Sequence, residues 1–100
     1  MKSWVDLSVL RISDHAATRF CERVFGTDAT RGRRSRAKAR IAVLLRYAEP
    51  LPELPPRDGE YQQAWQLIHC VAIVRNGCVT TILSPEQYQR GIRSDEDGAA

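Results

Sequence analysis

The sequence predicts an α+β fold in which two N-terminal helices pack on a three- to four-stranded antiparallel sheet. Two helical patterns fill the first half of the chain, and apolar segments broken by turn signals fill the second half. The 100 residues suit one small domain, and 43% hydrophobic with 27% charged residues is ordinary for a globular protein. We expect a single domain over residues 1–90 and a small, charged, disordered tail over residues 91–100.

The first helix is expected to begin after a cap at Ser13 or Asp14 and to end near Phe25, before Gly26. Its apolar residues form one stripe that would face the core: Ala16, Ala17, Phe20 and Val24, with Cys21 beside them. The other side is polar, and a four-residue spacing there places three side chains in one row: His15, Arg19 and Arg23. That row is either a solvated helix face or part of a site for an anion.

A second, longer helix is expected from about Arg33 to Ala48, with Thr30 as a candidate cap. Seven basic residues and no acidic one occur between positions 31 and 46: Arg31, Arg33, Arg34, Arg36, Lys38, Arg40 and Arg46. Cations near a helix N-terminus oppose the macrodipole at a cost of ~0.3–1 kcal/mol each, which favours a negatively charged partner. We therefore predict that the first six of them bind the backbone of a nucleic acid, although a solvated face is the alternative. The nearest aromatic residue is Tyr47, so base stacking is not expected.

The second half of the chain predicts strands. Four prolines in residues 50–56 exclude a helix and indicate an extended linker or an edge strand. Asp58-Gly59 and Asn76-Gly77 are turn signals, and the second lies between two apolar runs as in a two-residue hairpin. In that hairpin, Val74 would face Val79 and Ile73 would face Thr80. Pro85 would end the last strand and open a short helical turn.

Composition also argues against several classes of protein. Cys21, Cys70 and Cys78 form no CxxC pair and are expected to be reduced. A metal site at His69 and Cys70 is disfavoured because adjacent strand residues point to opposite faces. No apolar run approaches the ~20 residues that span a bilayer, and the first ten residues lack the apolar core of a secretion signal. We expect a cytoplasmic protein without metal, cofactor or membrane partner.

The chain resembles small RelE-like toxin relatives in two stretches, HAATRFCER (residues 15–23) and VTTIL (residues 79–83). A second helix and a proline-bearing link lie between these stretches, as in those relatives. Those bacterial and phage proteins open with an HAxxRxxER-type helix and close on a similar strand. The resemblance covers residues 11–84 as an order of elements. It implies the barnase–EndoU–colicin–RelE fold, in which two N-terminal helices pack on a four-stranded antiparallel sheet. It also implies a metal-independent endoribonuclease, either a toxin or a phage-borne relative, that cleaves RNA through the 2′-hydroxyl.

Carried onto this sequence, the resemblance implies His15 and Arg19 at the active site, Arg23 beside them, and Thr81 or its neighbour Thr80 as a strand hydroxyl. In such a site the histidine would transfer a proton and the arginines would hold the phosphate. The chain departs from the better-known members in two respects. Tyr88 is the only candidate for a C-terminal catalytic tyrosine or histidine, and the second helix is unusually basic.

Two functions from different classes follow as hypotheses. The first is a RelE-like endoribonuclease that acts on RNA and has an antitoxin or host protein as a further partner. The second is a non-catalytic phage or bacterial binding protein whose arginine-rich helix binds nucleic acid or an acidic surface of a host protein. They differ in geometry, because the ribonuclease requires His15, Arg19 and a strand hydroxyl to converge in one concave place.

Overall fold

The computed structural model describes residues 10–98, with side chains described through residue 92. The elements in chain order are β1 (Arg11–Ile12), α1 (Asp14–Phe20) with a π-helical turn (Cys21–Phe25), α2 (Arg31–Leu45), β2 (Glu49–Arg57), β3 (Glu60–Gln66), β4 (Val71–Arg75), β5 (Cys78–Leu83) and α3 (Pro85–Gly98). None of the helices in this part of the chain has the length and apolar character that a bilayer crossing requires. Residues 1–9 of the expected domain and residues 99–100 of the expected tail lie outside the described residues.

The strands form one five-stranded sheet in the order β1-β5-β4-β3-β2. Neighbours from β2 to β5 are antiparallel, whereas the short β1 lies parallel to β5. The predicted α+β class is therefore confirmed. The predicted architecture is wrong in detail, because the sheet has five strands in mixed directions and the structure has a third helix. β1 contains only two residues, too few to show a strand period in the sequence.

Helices cover both faces of the sheet. α1 and α2 pack on one face, where Phe20, Ile41 and Ile82 belong to the larger core cluster. α3 packs on the other face, where Tyr88 joins Ile73 in a second cluster. The chain therefore buries both faces of its central strands, as the apolar residues on both sides of the predicted hairpin required.

α3 continues past the expected domain boundary at residue 90 and ends at Gly98. Tyr88 donates a 2.6 Å hydrogen bond to the backbone oxygen of Pro52, which ties α3 to β2. A Cβ at Gly91 would lie 3.0 Å from Leu54 Cδ2, so the helix approaches β2 closely there. Ile92 packs against the second core cluster, so the first two residues of the expected tail belong to the packed domain.

Both predicted tight turns are present. Asp58 (φ 53°) and Gly59 (φ 78°) join β2 to β3, and Asn76 (φ 52°) and Gly77 (φ 71°) join β4 to β5. Positive φ at both central residues is what a type I′ hairpin needs, and Asn-Gly and Asp-Gly adopt it readily. β2 lies at one edge of the sheet, as its prolines predicted.

The β4–β5 hairpin follows the predicted register only in the residue pairs nearest the turn. Val74 pairs with Val79 as expected, but Ile73 then pairs with Thr81 instead of Thr80. The register shift between Ile73 and Val74 leaves Thr80 as the extra residue of a bulge, and its Oγ1 donates to the Ile73 backbone oxygen at 3.4 Å. Each later residue of β5 consequently faces the side of the sheet opposite to the one predicted.

Candidate nucleic-acid interface

A groove lies between the end of the π turn and one side of α2. It has a volume of about 570 Å³ and is lined by Phe25, Thr27, Arg33, Arg36, Ala39, Arg40 and Val43. We call it the arginine groove. Three of its seven lining residues are arginines and none is acidic. Its volume is within the range of small-ligand sites, and its charge favours an anion.

The spacing of residues on α2 explains why these arginines share one side. The buried side of the helix consists of residues four apart: Ala37, Ile41 and Leu45. The lining residues recur at intervals of three and four on a different side: Arg33, Arg36, Arg40 and Val43. Thr30 caps the helix by accepting a 3.2 Å hydrogen bond from the Arg33 backbone N–H. The basic row therefore begins in the first turn of a capped helix.

Within the described part of the chain, no carboxylate pairs with the arginines of the groove. Arg33 donates from Nη1 to the Asp28 backbone oxygen at 3.0 Å, a contact that orients the guanidinium without cancelling its charge. Arg36 and Arg40 make no hydrogen bond or ion pair with any other described residue. Both are exposed. These guanidinium groups are available to an anionic ligand.

The other three predicted nucleic-acid-binding residues lie outside the groove. Lys38 Nζ is 2.6 Å from Asp14 Oδ1, and this hydrogen bond to Lys38 is the main reason that the pKa of Asp14 is lowered. Arg34 donates to the Ala29 backbone oxygen at 2.9 Å. Arg31 is exposed at the start of α2 without lining the groove. The structure thus brings together half of the predicted set.

Phe25 is the residue of this interface that the sequence analysis missed. Its side chain is 46% exposed, and its ring meets the buried Phe20 ring edge-on, with centroids 5.3 Å apart and planes at 89°. In an α-helix, residues five apart differ by about 140° around the axis. In the π turn they become neighbours, because the Gly26 N–H bonds to the Cys21 carbonyl five residues earlier. The π turn therefore places an aromatic ring beside the arginines.

A second, smaller pocket adjoins the groove at Phe25 and Arg40, which line both. Its volume is about 220 Å³, and its other lining residues are Phe20, Val24, Leu44, Ile68, His69 and Cys70. Ile68 is 69% exposed, so the apolar wall of this pocket is open to solvent. We call it the His69 pocket.

The expectation that His69 is a strand residue is wrong. β3 ends at Gln66 and β4 begins at Val71, so His69 lies exposed in the connection between them. Burial raises the pKa of the neighbouring Cys70 thiol to about 11, which keeps it protonated at neutral pH. His69 itself is exposed at the rim of this pocket.

The polar row of α1 makes contacts within the protein. His15 is exposed in the first turn. Arg19 Nη1 lies 3.3 Å from Glu22 Oε2 on the same helix. Arg23 donates from Nε to the Ile82 backbone oxygen on β5 at 2.9 Å. Both arginines of the row thus have protein partners.

Thr81 lies on the other side of the sheet from this row. It pairs directly with Ile73, which packs in the core cluster beneath α3, and directly paired residues share a face. α1 packs on the opposite face. The structure therefore does not bring Thr81 to His15 and Arg19.

Comparisons with known proteins match nothing: no family model matches the chain, and no curated protein or solved structure is significantly similar to it. The resemblance to RelE-like proteins consequently stays a prediction. The candidate interface is interpreted from its own residues.

Proposed function

We propose that this chain is a nucleic-acid-binding protein that holds phosphate groups in the arginine groove. The observation that supports the proposal is the convergence of Arg33, Arg36 and Arg40 on one groove without an acidic lining residue. Two of these guanidinium groups have no partner among the described residues. An arginine that served only the fold would be expected to have one, as Arg23 has.

The spacing of the arginines supports a linear polyanion. Arg33 and Arg40 are seven residues apart, which is about 10 Å along a helix axis. A nucleic-acid strand carries one phosphate per nucleotide, so a row of this length can contact consecutive phosphates of one strand. Guanidinium groups bind phosphate oxygens through paired hydrogen bonds, so each arginine can hold one phosphate. This favours nucleic acid over an acidic protein surface, whose carboxylates need not lie in a line.

Binding of a labelled RNA oligonucleotide, followed by fluorescence anisotropy at several salt concentrations, tests the proposal. We expect Arg36→Gln/Arg40→Gln to weaken binding roughly a hundredfold or more, because hydrogen bonds to charged groups contribute ~1.5–3 kcal/mol each and two are lost. Arg31→Gln/Arg46→Gln is the matched control, since it removes the same charge from the first residue of α2 and from its C-cap, both outside the groove. Equal loss in the two double variants would show that net charge, and not the groove, attracts the RNA.

We propose the endoribonuclease activity as a second hypothesis. One observation favours it: α1 and β5, which carry HAATRFCER and VTTIL, are packed against each other. Ser13 Oγ donates to the Thr80 backbone oxygen at 3.1 Å, and Arg23 Nε donates to that of Ile82. In this hypothesis, which does without the Thr81 hydroxyl, His15 takes the 2′-hydroxyl proton as that oxygen attacks phosphorus. The bond between phosphorus and the 5′-oxygen breaks, and water protonates the departing oxygen. Arg19 leaves Glu22 to stabilise the charge that develops at phosphorus.

Incubation of the purified protein with RNA separates the two hypotheses. Cleavage that disappears in both His15→Ala and Arg19→Ala supports the enzyme. RNA binding without cleavage, lost in Arg36→Gln/Arg40→Gln, contradicts the enzyme and supports the binding protein.

A further inference from the structure

We infer that the arginine groove selects single-stranded nucleic acid by stacking an unpaired base on Phe25. The inference rests on the proposed function and names the class of ligand. Phe25 is 46% exposed, while its edge-on contact with Phe20 fixes the orientation of its ring. A fixed ring loses little conformational freedom when a base stacks on it, and every base has a face that can stack.

The groove alternates charge with apolar surface in the way that a single strand requires. Arg33, Arg36 and Arg40 supply cations, and Phe25 and Val43 supply exposed apolar surface beside them. A single strand presents phosphates and bases together, so it can use both kinds of surface at once. A duplex presents phosphates at its edge but keeps its base faces stacked on one another, so Phe25 would gain nothing from it.

The shape of the groove argues against the insertion of α2 into a duplex. The major groove of B-DNA is about 12 Å wide and admits one helix of about 10–12 Å diameter. Phe25 and Thr27 of the adjoining segment line the same groove as the arginines of α2. A duplex that received this side of the helix would therefore also meet that segment, which adds to the width of the helix. A flexible strand can enter a concave site of this kind.

The His69 pocket offers the strand a path beyond Phe25. It shares Phe25 and Arg40 with the arginine groove, so a strand that follows one can continue into the other. Ile68 and Leu44 give it an apolar wall, and His69 adds a polar group at its rim. A second base can thus lie on the far side of Phe25 while Arg40 holds the phosphate between the two bases.

The test compares one labelled RNA strand, alone and annealed to its complement, at the same salt concentration. We expect the single strand to bind more tightly than the duplex. Phe25→Ala should weaken single-strand binding about 5- to 150-fold, the effect of removing one stacked base, and should change duplex binding far less. Phe25→Tyr should keep the affinity, because it keeps the ring.

Two further variants guard against a structural explanation. Tyr61→Ala is the matched control, since Tyr61 is an aromatic residue 71% exposed on β3 that lines neither the arginine groove nor the His69 pocket, and it should leave affinity unchanged. Phe25→Leu keeps apolar contact with Phe20 but cannot stack, so it should bind as poorly as Phe25→Ala. Full affinity in Phe25→Leu, or equal affinity for strand and duplex, would overturn the inference. If RNA binding in either of these outcomes still requires Arg36 and Arg40, the proposed nucleic-acid-binding function is supported although base stacking on Phe25 is not. If neither the single strand nor the duplex binds at low salt, both the proposed function and the stacking inference are contradicted.

Discussion

α1 and α2 each carry a row of cations at helical spacing, but the two rows differ in what their side chains contact. On α1, Arg19 pairs with Glu22, and Arg23 donates to the Ile82 carbonyl of β5. On α2, Arg36 and Arg40 have no partner among the described residues and border a groove without carboxylates. The first row thus contributes to the fold, whereas Arg36 and Arg40 of the second row contact no other described residue through a hydrogen bond or ion pair.

Spacing alone does not identify a binding surface. A four-residue period aligns side chains on any helix, whether they face solvent, a strand or a ligand. The decisive difference is the location of the neighbouring carbonyls and carboxylates, which depends on the packing of distant segments. Lys38 shows this within α2 itself, since Asp14 of α1 pairs with it at 2.6 Å.

The largest loss of stability is expected from a substitution at Phe20. This residue belongs to the core under α1 and also orients the Phe25 ring. Phe20→Ala should lower the free energy of unfolding by ~3–5 kcal/mol, because it removes a buried aromatic side chain and leaves a cavity. Urea denaturation followed by circular dichroism measures the loss. A loss below ~1 kcal/mol would contradict the packing described for this face of the sheet.

Substitution of Arg19 or Arg23 should cause a smaller loss of stability, and the loss should differ between the two arginines. Arg23→Gln should cost about 1–2 kcal/mol, because it removes a hydrogen bond from a charged donor to the Ile82 carbonyl. Arg19→Gln should cost less than about 0.5 kcal/mol, since its pair with Glu22 is 40% exposed and lies within one helix. Thermal unfolding of both variants checks the difference. Equal melting temperatures would show that Arg23 is no more structural than Arg19.

The smallest loss of stability is expected from removal of the ion pair between Asp14 of α1 and Lys38 of α2. Lys38 lowers the pKa of Asp14 below its ordinary value of 3.8, so the stabilisation is fully present above that value. It is lost as pH falls through the lowered folded-state pKa. Asp14→Asn should therefore have a lower melting temperature than wild type at neutral pH, and the gap should close in strong acid. A gap that persists at low pH would show that the Lys38 pair is not its source.

Local signals in the sequence predicted the parts of the fold that depend on a few neighbouring residues. Ser13 and Thr30 cap their helices, and Gly26 (φ 65°) ends the first helix as expected. Asn76-Gly77 turns the last hairpin. In each case one side chain or one backbone angle determines the local conformation, so the residue type in the sequence predicts that conformation directly.

The parts that could not be predicted depend on contacts between distant segments. The bulge at Thr80 follows from the pairing of β4 with β5, and it moves Thr81 to the face under α3. The π turn brings Phe25 over Phe20, whereas a regular α-helical period would have separated them. For this reason the sequence predicted the arginines of the interface but not its aromatic residue.

The most direct test of phosphate binding by the α2 row is the salt dependence of RNA affinity in Arg40→Gln compared with that in Arg19→Gln. Each variant removes one positive charge, from the α2 row and from the α1 row respectively. For single-stranded RNA, loss of one phosphate contact should reduce the slope of log affinity against log salt by about 0.7. We predict that reduction in Arg40→Gln and an unchanged slope in Arg19→Gln. An unchanged slope in Arg40→Gln with a reduced slope in Arg19→Gln would place the phosphate on α1 and contradict phosphate binding in the arginine groove.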